Sequence, residues 1–357
     1  MPVKKTSRER VSLALQHQEA DRVAIQDSPW GTTIARWRKE GLPKNVSPAD
    51  YFGYEFIRLG ADLSFRFKPE VLEETNEYRI HRDANGRTLK NWKEKTSTPK
   101  LIDYAVKTRE DWEKHKHRLT PDPDRINWER MEQAYKNAQK HDKFFCYSGG
   151  AGYQASTGKI QLENMLMAMV ADPEWISDVI ETGVDMTLGL FKLLIEKGYK
   201  FDGYWCSDDL GYRNGLMFAP QEFRELVMPA HKRLVDFCHE NDIFAILHSC
   251  GNFNEVVPDL IETGWDCLQP LEVKAGMDVI QLKQDYGDKI ALMGGIDVRV
   301  MAEGTDEELE EEISKKVTIA KKNGGYLYHS DHSVPDNVSF KSYQRVIDLV
   351  HIYGSYS

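Results

Sequence analysis

The chain lacks any apolar run of about 18 residues, the length a membrane-spanning helix needs. It lacks a Lys/Arg block, and its net charge of −10 repels a phosphate backbone, so nucleic acid is excluded as a partner. The opening Met1 to Arg10 is polar and basic with no apolar core, unlike a secretory signal. Cysteine is scarce: Cys146, Cys206, Cys238, Cys250 and Cys267 are an odd number, widely spaced, which argues against a disulfide framework and for the reducing cytoplasm. No Gly-x-Gly-x-x-Gly follows the first predicted strand. Gly149-Gly150-Ala151-Gly152 lacks that spacing and carries no Walker lysine, so a nucleotide site is not indicated.

What is present is the composition of a soluble globular protein, 41% hydrophobic and 29% charged. The 357 residues suffice for one large α/β barrel or two ordinary domains. A short helix is predicted over 7–18, with Ser7 as its cap, and a first strand over 21–26. Residues 32–60 read as helical pieces broken at Pro43 and Pro48. From 62 to 98 the pattern alternates. Asp83-Ala84-Asn85-Gly86-Arg87 marks a hairpin turn, which predicts a small antiparallel insertion. Residues 103–142 read as charged helix anchored by Trp112, Trp128, Met131 and Tyr135. Apolar runs then recur at 144–148, 201–206, 243–248, 267–271, 290–294 and 325–329. Helical patterns separate them, at 161–197, 220–241, 253–264, 276–287, 305–323 and 339–352. With strands near 23 and 63 the count approaches eight. A (β/α)8 barrel forming a single domain over 1–357 is the simplest architecture, with a doubly wound sheet the alternative.

In a barrel, chemistry collects where strands end. The predicted strand ends here carry Ser148-Gly149, Ser207-Asp208-Asp209, His248-Ser249-Cys250-Gly251, Gln269-Pro270-Leu271-Glu272, Gly294-Gly295-Ile296-Asp297 and His329-Ser330-Asp331-His332. Strand side chains alternate, so His248 and Cys250 share a face about 7 Å apart along the chain at ~3.3 Å per residue. One nitrogen and one sulfur then approach a single zinc ion. His329, Asp331 or His332 are candidates to complete the set. Each has a plainer reading. Cys250 is also a small apolar residue, Asp208 and Asp209 are also helix caps, and Asp297 is also a turn residue. Glu272 reads as a solvent-facing rim residue, His231 and His239 as surface residues, and the other four cysteines as core.

His248-x-Cys250-Gly251 is one of several short motifs that occur in the order seen in one superfamily. The others are Phe201-Asp202-Gly203-Tyr204-Trp205 leading to Asp208-Asp209, Asn214 to Pro220, Gly294-Gly295-Ile296-Asp297, and Ser330-Asp331-His332-Ser333-Val334-Pro335. Together with Arg8-Glu9-Arg10 and Asp21-Arg22-Val23, they make the chain resemble the uroporphyrinogen decarboxylase superfamily over nearly its whole length. The resemblance implies a (β/α)8 barrel. True decarboxylases of that superfamily carry an arginine-rich segment after the first strand. Here Gln26 to Gly31 has no arginine and adds Asp27, the wrong charge for a substrate with many carboxylates.

The resemblance therefore points to the superfamily's other branch, zinc-dependent methyltransferases that work with a corrinoid (cobalamin) protein. His248 and Cys250 match that branch's His-x-Cys motif. Its third ligand is a cysteine just before a proline, and no cysteine follows Cys267 here. Counting back from Pro335, the equivalent position is Asp331, with His329 and His332 as neighbours. An oxygen or nitrogen in place of sulfur leaves the metal more Lewis acidic. The implied reaction is O-demethylation: a methyl group passes from a methoxylated compound, such as an aryl methyl ether, to Co(I) of a corrinoid on a partner protein. Asp208, Asp209 or His332 would handle a proton or position the substrate. Trp30, Tyr153 and Trp205 would pack its ring, Asp297 would line the site, and the 62–98 insertion would shape the rim. A homodimer is left open. The alternative is a metal-free lyase acting on a carboxylated substrate.

Overall fold

The computed structural model describes residues 4–93, 99–150 and 152–356. Met1 to Val3, the last five residues of the predicted insertion (94–98), and Ala151 of the glycine-rich stretch lie outside the described residues. Strands are numbered in chain order: β1 (Ala24–Ile25), β2 (Phe56–Gly60), β3 (Glu70–Glu74), β4 (Tyr78–Arg82), β5 (Thr88–Trp92), β6 (Lys100–Asp103), β7 (Phe144–Gly149), β8 (Gly203–Ser207), β9 (Gly211–Tyr212), β10 (Gly215–Leu216), β11 (Phe244–Ser249), β12 (Cys267–Pro270), β13 (Ala291–Met293) and β14 (Tyr326–Tyr328).

Eight of them form one parallel sheet in the order β1-β14-β13-β12-β11-β8-β7-β2. Helices separate most of them, and the sheet curls into a (β/α)8 barrel. Its seam, between β1 and β2, is closed largely by Glu55. The Glu55 N–H donates to the Ile25 carbonyl (3.0 Å), and its carboxylate accepts from the Ile25 N–H (2.6 Å). That buried carboxylate is held in turn by Arg10 and Arg22.

The strands are short and apolar because both faces are buried. Outward residues such as Phe145, Tyr204 and Leu247 meet the helices. Inward ones form a separate cluster of Ala24, Phe56, Phe144, Cys146, Trp205, Ile246, Cys267, Ala291, Met293 and Leu327. The covering helices start at well-made caps. Asp172 accepts from the Trp175 N–H before the helix Pro173–Glu196, and Thr305 forms a reciprocal box with Glu308 before Asp306–Ala320. No helix among the described residues is long and apolar enough to cross a membrane.

Several boundaries depart from the sequence reading. The second barrel strand is Phe56–Gly60, inside the stretch read as helical and upstream of the strand expected near 63. The insertion is a four-stranded antiparallel sheet, β3-β4-β5-β6, whose last strand runs past residue 98 into the segment read as helix. The first helix is Ser7–Leu15, capped by Thr6 rather than Ser7. Asp172-Pro173 divides the predicted helix 161–197 in two. The Pro220–Glu240 region contains a π-helical turn at Phe223–Val227, and a helix at Val298–Glu303 was not foreseen. Cys146, Cys206, Cys238 and Cys267 are buried, as the sequence reading had them.

Candidate metal centre at the barrel mouth

Strand β11 ends in the residues with most chemistry. Alternation sends Ser249 outward, where it is buried and its Oγ accepts from the Leu210 N–H (3.0 Å). His248 and Cys250 point inward, with Cys250 Sγ 3.5 Å from His248 Nε2. Gly251 turns the chain at φ +79°. A Cβ there would lie 2.3 Å from the Gly211 carbonyl carbon, so only glycine lets the β9–β10 hairpin rest against this corner.

The third member comes from the end of β8. Asp208 and Asp209 part company there. Asp209 turns to the mouth: its Oδ1 accepts from the Cys250 N–H (2.9 Å) and lies 3.4 Å from His248 Nε2. One ligand atom each from Asp209, His248 and Cys250 lies within 4.8 Å of the others, the one such metal-competent group among the described residues. Gln269, directly across from His248 in the β11–β12 register, places its amide oxygen on His248 Nδ1. An amide oxygen only accepts, so Nδ1 carries a proton and Nε2 is the ring nitrogen that faces Sγ and the carboxylate. Burial pushes the Cys250 thiol well up, and the carboxylates of Asp209 and Glu272 add to it. Burial also raises the Asp209 carboxyl, but bonds from His248 and Cys250 outweigh it and hold the pKa below the usual value. A soft sulfur, an imidazole lone pair and a carboxylate in a negatively biased corner are a fit donor set for zinc.

Asp331 and His329 stand outside this group. Asp331 spends both oxygens on backbone, accepting from Val273 and Val298 N–H groups at 3.0 Å each. Burial is the main cause that pushes its pKa up to about 6. His329 is buried in the lumen with Nδ1 bonded to the Ser330 carbonyl (2.7 Å) and Nε2 3.5 Å from Ser28 Oγ. His332 sits half-buried at the rim, edge-on to Trp30 with ring centroids 6.0 Å apart, and Trp30 is 39% exposed. Asp297 caps the helix Val298–Glu303 and is tied to the Arg299 guanidinium (2.6 Å).

Three other assignments change. Asp208 is enclosed rather than at the mouth. It accepts from the Tyr153 N–H (3.1 Å), the Gln154 N–H and His231 Nε2 (2.7 Å). His231, read as a surface residue, is therefore fully buried, with Trp265 Nε1–H donating to its Nδ1 (3.3 Å). Glu272, read as facing solvent, is buried and accepts from the Gly251 N–H (2.7 Å). Trp205 lies in the lumen with the Arg58 guanidinium 4.0 Å above its ring, so that face is taken. Tyr153 is buried against Phe218 (4.7 Å). His239 is on the surface, paired with Asp266. Beside Cys250 opens a cleft of about 470 Å3, lined by Tyr212, Arg213, Gly251, Glu272, Lys274 and Arg299. Tyr104, just past β6, donates to the Thr157 carbonyl in the segment that follows β7 (3.2 Å).

A parallel barrel with its donor set at the carboxyl ends of its strands defines a class of enzyme-like proteins, and comparison with known proteins narrows it. Residues 153–353 match the family model for uroporphyrinogen decarboxylase (URO-D), more than half of the chain, so the protein belongs to the URO-D family. A methylated-thiol–coenzyme M methyltransferase of Methanosarcina mazei is 28% identical over 149 residues, which are 42% of this chain and 38% of that protein. The matched part thus spans well under half of that relative's length. A uroporphyrinogen decarboxylase of Vesicomyosocius okutanii is 27% identical over 78 residues, 22% of each chain. A solved methyltransferase from Methanosarcina mazei superposes with a TM-score of 0.69 at 15% identity, covering 98% of this chain and 99% of that one, which establishes the shared fold.

Proposed function

We propose that the protein is a zinc-dependent methyltransferase that takes a methyl group from a small methoxylated compound, in the simplest case an aryl methyl ether, and passes it to a corrinoid on a separate protein. The observation that carries this reading is the convergence of Asp209, His248 and Cys250 at the mouth. Zinc bound by these three side chains would act as a Lewis acid toward the oxygen that keeps the bonding electrons when the methyl leaves. Asp209 supplies the oxygen donor that the sequence reading sought at Asp331. One sulfur rather than two suits oxygen chemistry better than activation of a thiol. Gln269 orients His248, and the Cys250 N–H orients Asp209. Asp208, enclosed with His231, positions the 152–157 turn and does not reach substrate. Among the groups considered for proton exchange, Asp208 is enclosed, whereas Asp209 and His332 are half-buried. The partner must approach the mouth, where the β9–β10 hairpin presents Tyr212, 67% exposed.

Zinc content, and transfer from methoxyarenes to a reduced corrinoid protein followed by absorbance, test this reading. One zinc per chain is expected. Chelation should lower the rate at least about 100-fold, and added zinc should restore it. A zinc-free protein that transfers methyl at full rate, or that instead releases CO2 from a carboxylated substrate, would sink the proposal.

A further inference from the structure

The barrel lumen changes from apolar to polar in one step along most of its strands. Two residues beyond the inward-facing Ala24, Phe56, Cys146, Trp205, Ile246, Cys267 and Leu327 stand Gln26, Arg58, Ser148, Ser207, His248, Gln269 and His329. The contacts agree with this layering. Arg58 lies over Trp205, its Nη2 is 3.4 Å from Ser28 Oγ, and the same Oγ is 3.5 Å from His329 Nε2. Ser28 thus links Arg58 to His329 in this polar layer.

Arg58 is the anomaly of this layer. Arg58 is half-buried, whereas the fully buried arginines are compensated: Arg10 by Asp21 and Glu55, Arg125 by the carbonyls of Thr120, Asp62, Ser64 and Arg118. Among the described residues no carboxylate lies within 4.0 Å of the Arg58 guanidinium, and its one polar contact is the long one to Ser28. Burial draws its pKa down, and only the Cys146 thiol acts the other way. A half-buried cation without a counter-ion, facing the barrel mouth, is open to a ligand that brings one. Asp27, the acid next to Ser28, does not serve. Its Oδ2 is occupied by hydroxyls of Tyr328, Ser330 and Tyr343, and its Oδ1 accepts from the Ser28 N–H.

We infer that Arg58 is a specificity residue that binds a carboxylate on the substrate, so that the methyl donor is a methoxylated aromatic acid rather than a neutral ether. The methoxy part of this statement rests on the function proposed above; the anion site does not. A planar guanidinium backed by an indole face offers a fork of donors matched to one carboxylate. One such cation suits a monoacid and not a tetrapyrrole with many acid groups. The cleft beside Cys250 is the competing anion site. There, however, Lys274 is paired with Glu272 (3.0 Å) and Arg299 with Asp297 (2.6 Å), and Arg213 is exposed to screening by solvent.

Calorimetric titration of the whole protein with the 2-, 3- and 4-methoxybenzoates and the matching neutral methoxybenzamides tests this. At least one acid should bind about tenfold or more tightly than its amide. That preference should persist after chelation of metal, vanish in Arg58→Gln, survive in part in Arg58→Lys, and be intact in Arg213→Gln. The ligand comparison needs no variant, so a misfolded Arg58→Gln does not remove the test. Failure of every acid to bind, equal binding of acid and amide, loss of the preference on chelation alone, or its loss in Arg213→Gln would each overturn the inference. Methyl transfer from neutral ethers only would overturn it while leaving the methyltransferase reading standing. Acid binding through Arg58 without any methyl transfer would do the reverse.

Discussion

Gln269 Oε1 accepts a hydrogen bond from His248 Nδ1–H, and that bond decides which ring nitrogen faces Cys250 and Asp209. A leucine in its place keeps the volume but leaves the imidazole free to turn or to change tautomer. Gln269→Leu is expected to weaken zinc binding by about 10- to 100-fold, measured by competition with a chromophoric chelator. Unchanged affinity would show that the orientation of His248 is fixed some other way. At this scale the sequence was half legible. Period-two alternation along an apolar strand was enough to pair His248 with Cys250. The third donor was not, because Asp209 and Asp331 are both acids two or three residues past a strand. Which of them turns inward depends on loop geometry: Asp209 is drawn by the Cys250 N–H, whereas Asp331 is consumed by the amides of Val273 and Val298.

Between elements, the buried Asp208–His231 pair pins the turn after β7 to the helix Met228–Glu240. Gly152 is part of that joint: its φ is +82°, and a Cβ there would stand 2.4 Å from Asp208 Oδ2. His231→Leu leaves Asp208 buried without its side-chain partner, and unfolding in urea should show a loss of about 3–5 kcal/mol. Because Asp208 and Asp209 are adjacent, the weaker joint should also lower zinc affinity. A stability within 1 kcal/mol of the parent, on the order of an ordinary surface change, would contradict this account. The signal for His231 was present in the sequence and was overridden by its charged neighbours. His231, Leu234, Val235 and Cys238 recur at helical spacing and are all buried. Strand β2 was missed for the opposite reason. Arg58 interrupts an apolar run that follows two short helices, so Phe56 to Gly60 did not look like a barrel strand.

Across the whole molecule, the repeated strand–helix units from residue 143 onward made the barrel readable, since a parallel sheet must be covered by helices on its outer face. What pattern alone did not reveal is how the two ends of the sheet meet. Closure rests largely on one residue, Glu55, whose N–H and carboxylate both bond the backbone of β1 while two arginines hold the carboxylate. Such a buried, three-way arrangement leaves no periodic trace in sequence. The polar layer above the apolar lumen is periodic and became visible only once the strand registers were known.

The central claim is that Asp209, His248 and Cys250 form one zinc site with a single sulfur donor. X-ray absorption at the zinc edge of the purified protein tests it most directly. The expected result is one zinc per chain with one sulfur at about 2.3 Å and nitrogen or oxygen neighbours at about 2.0–2.2 Å, the sulfur shell disappearing in Cys250→Ser. A protein that binds no zinc, or a zinc shell with two or more sulfurs, would contradict it.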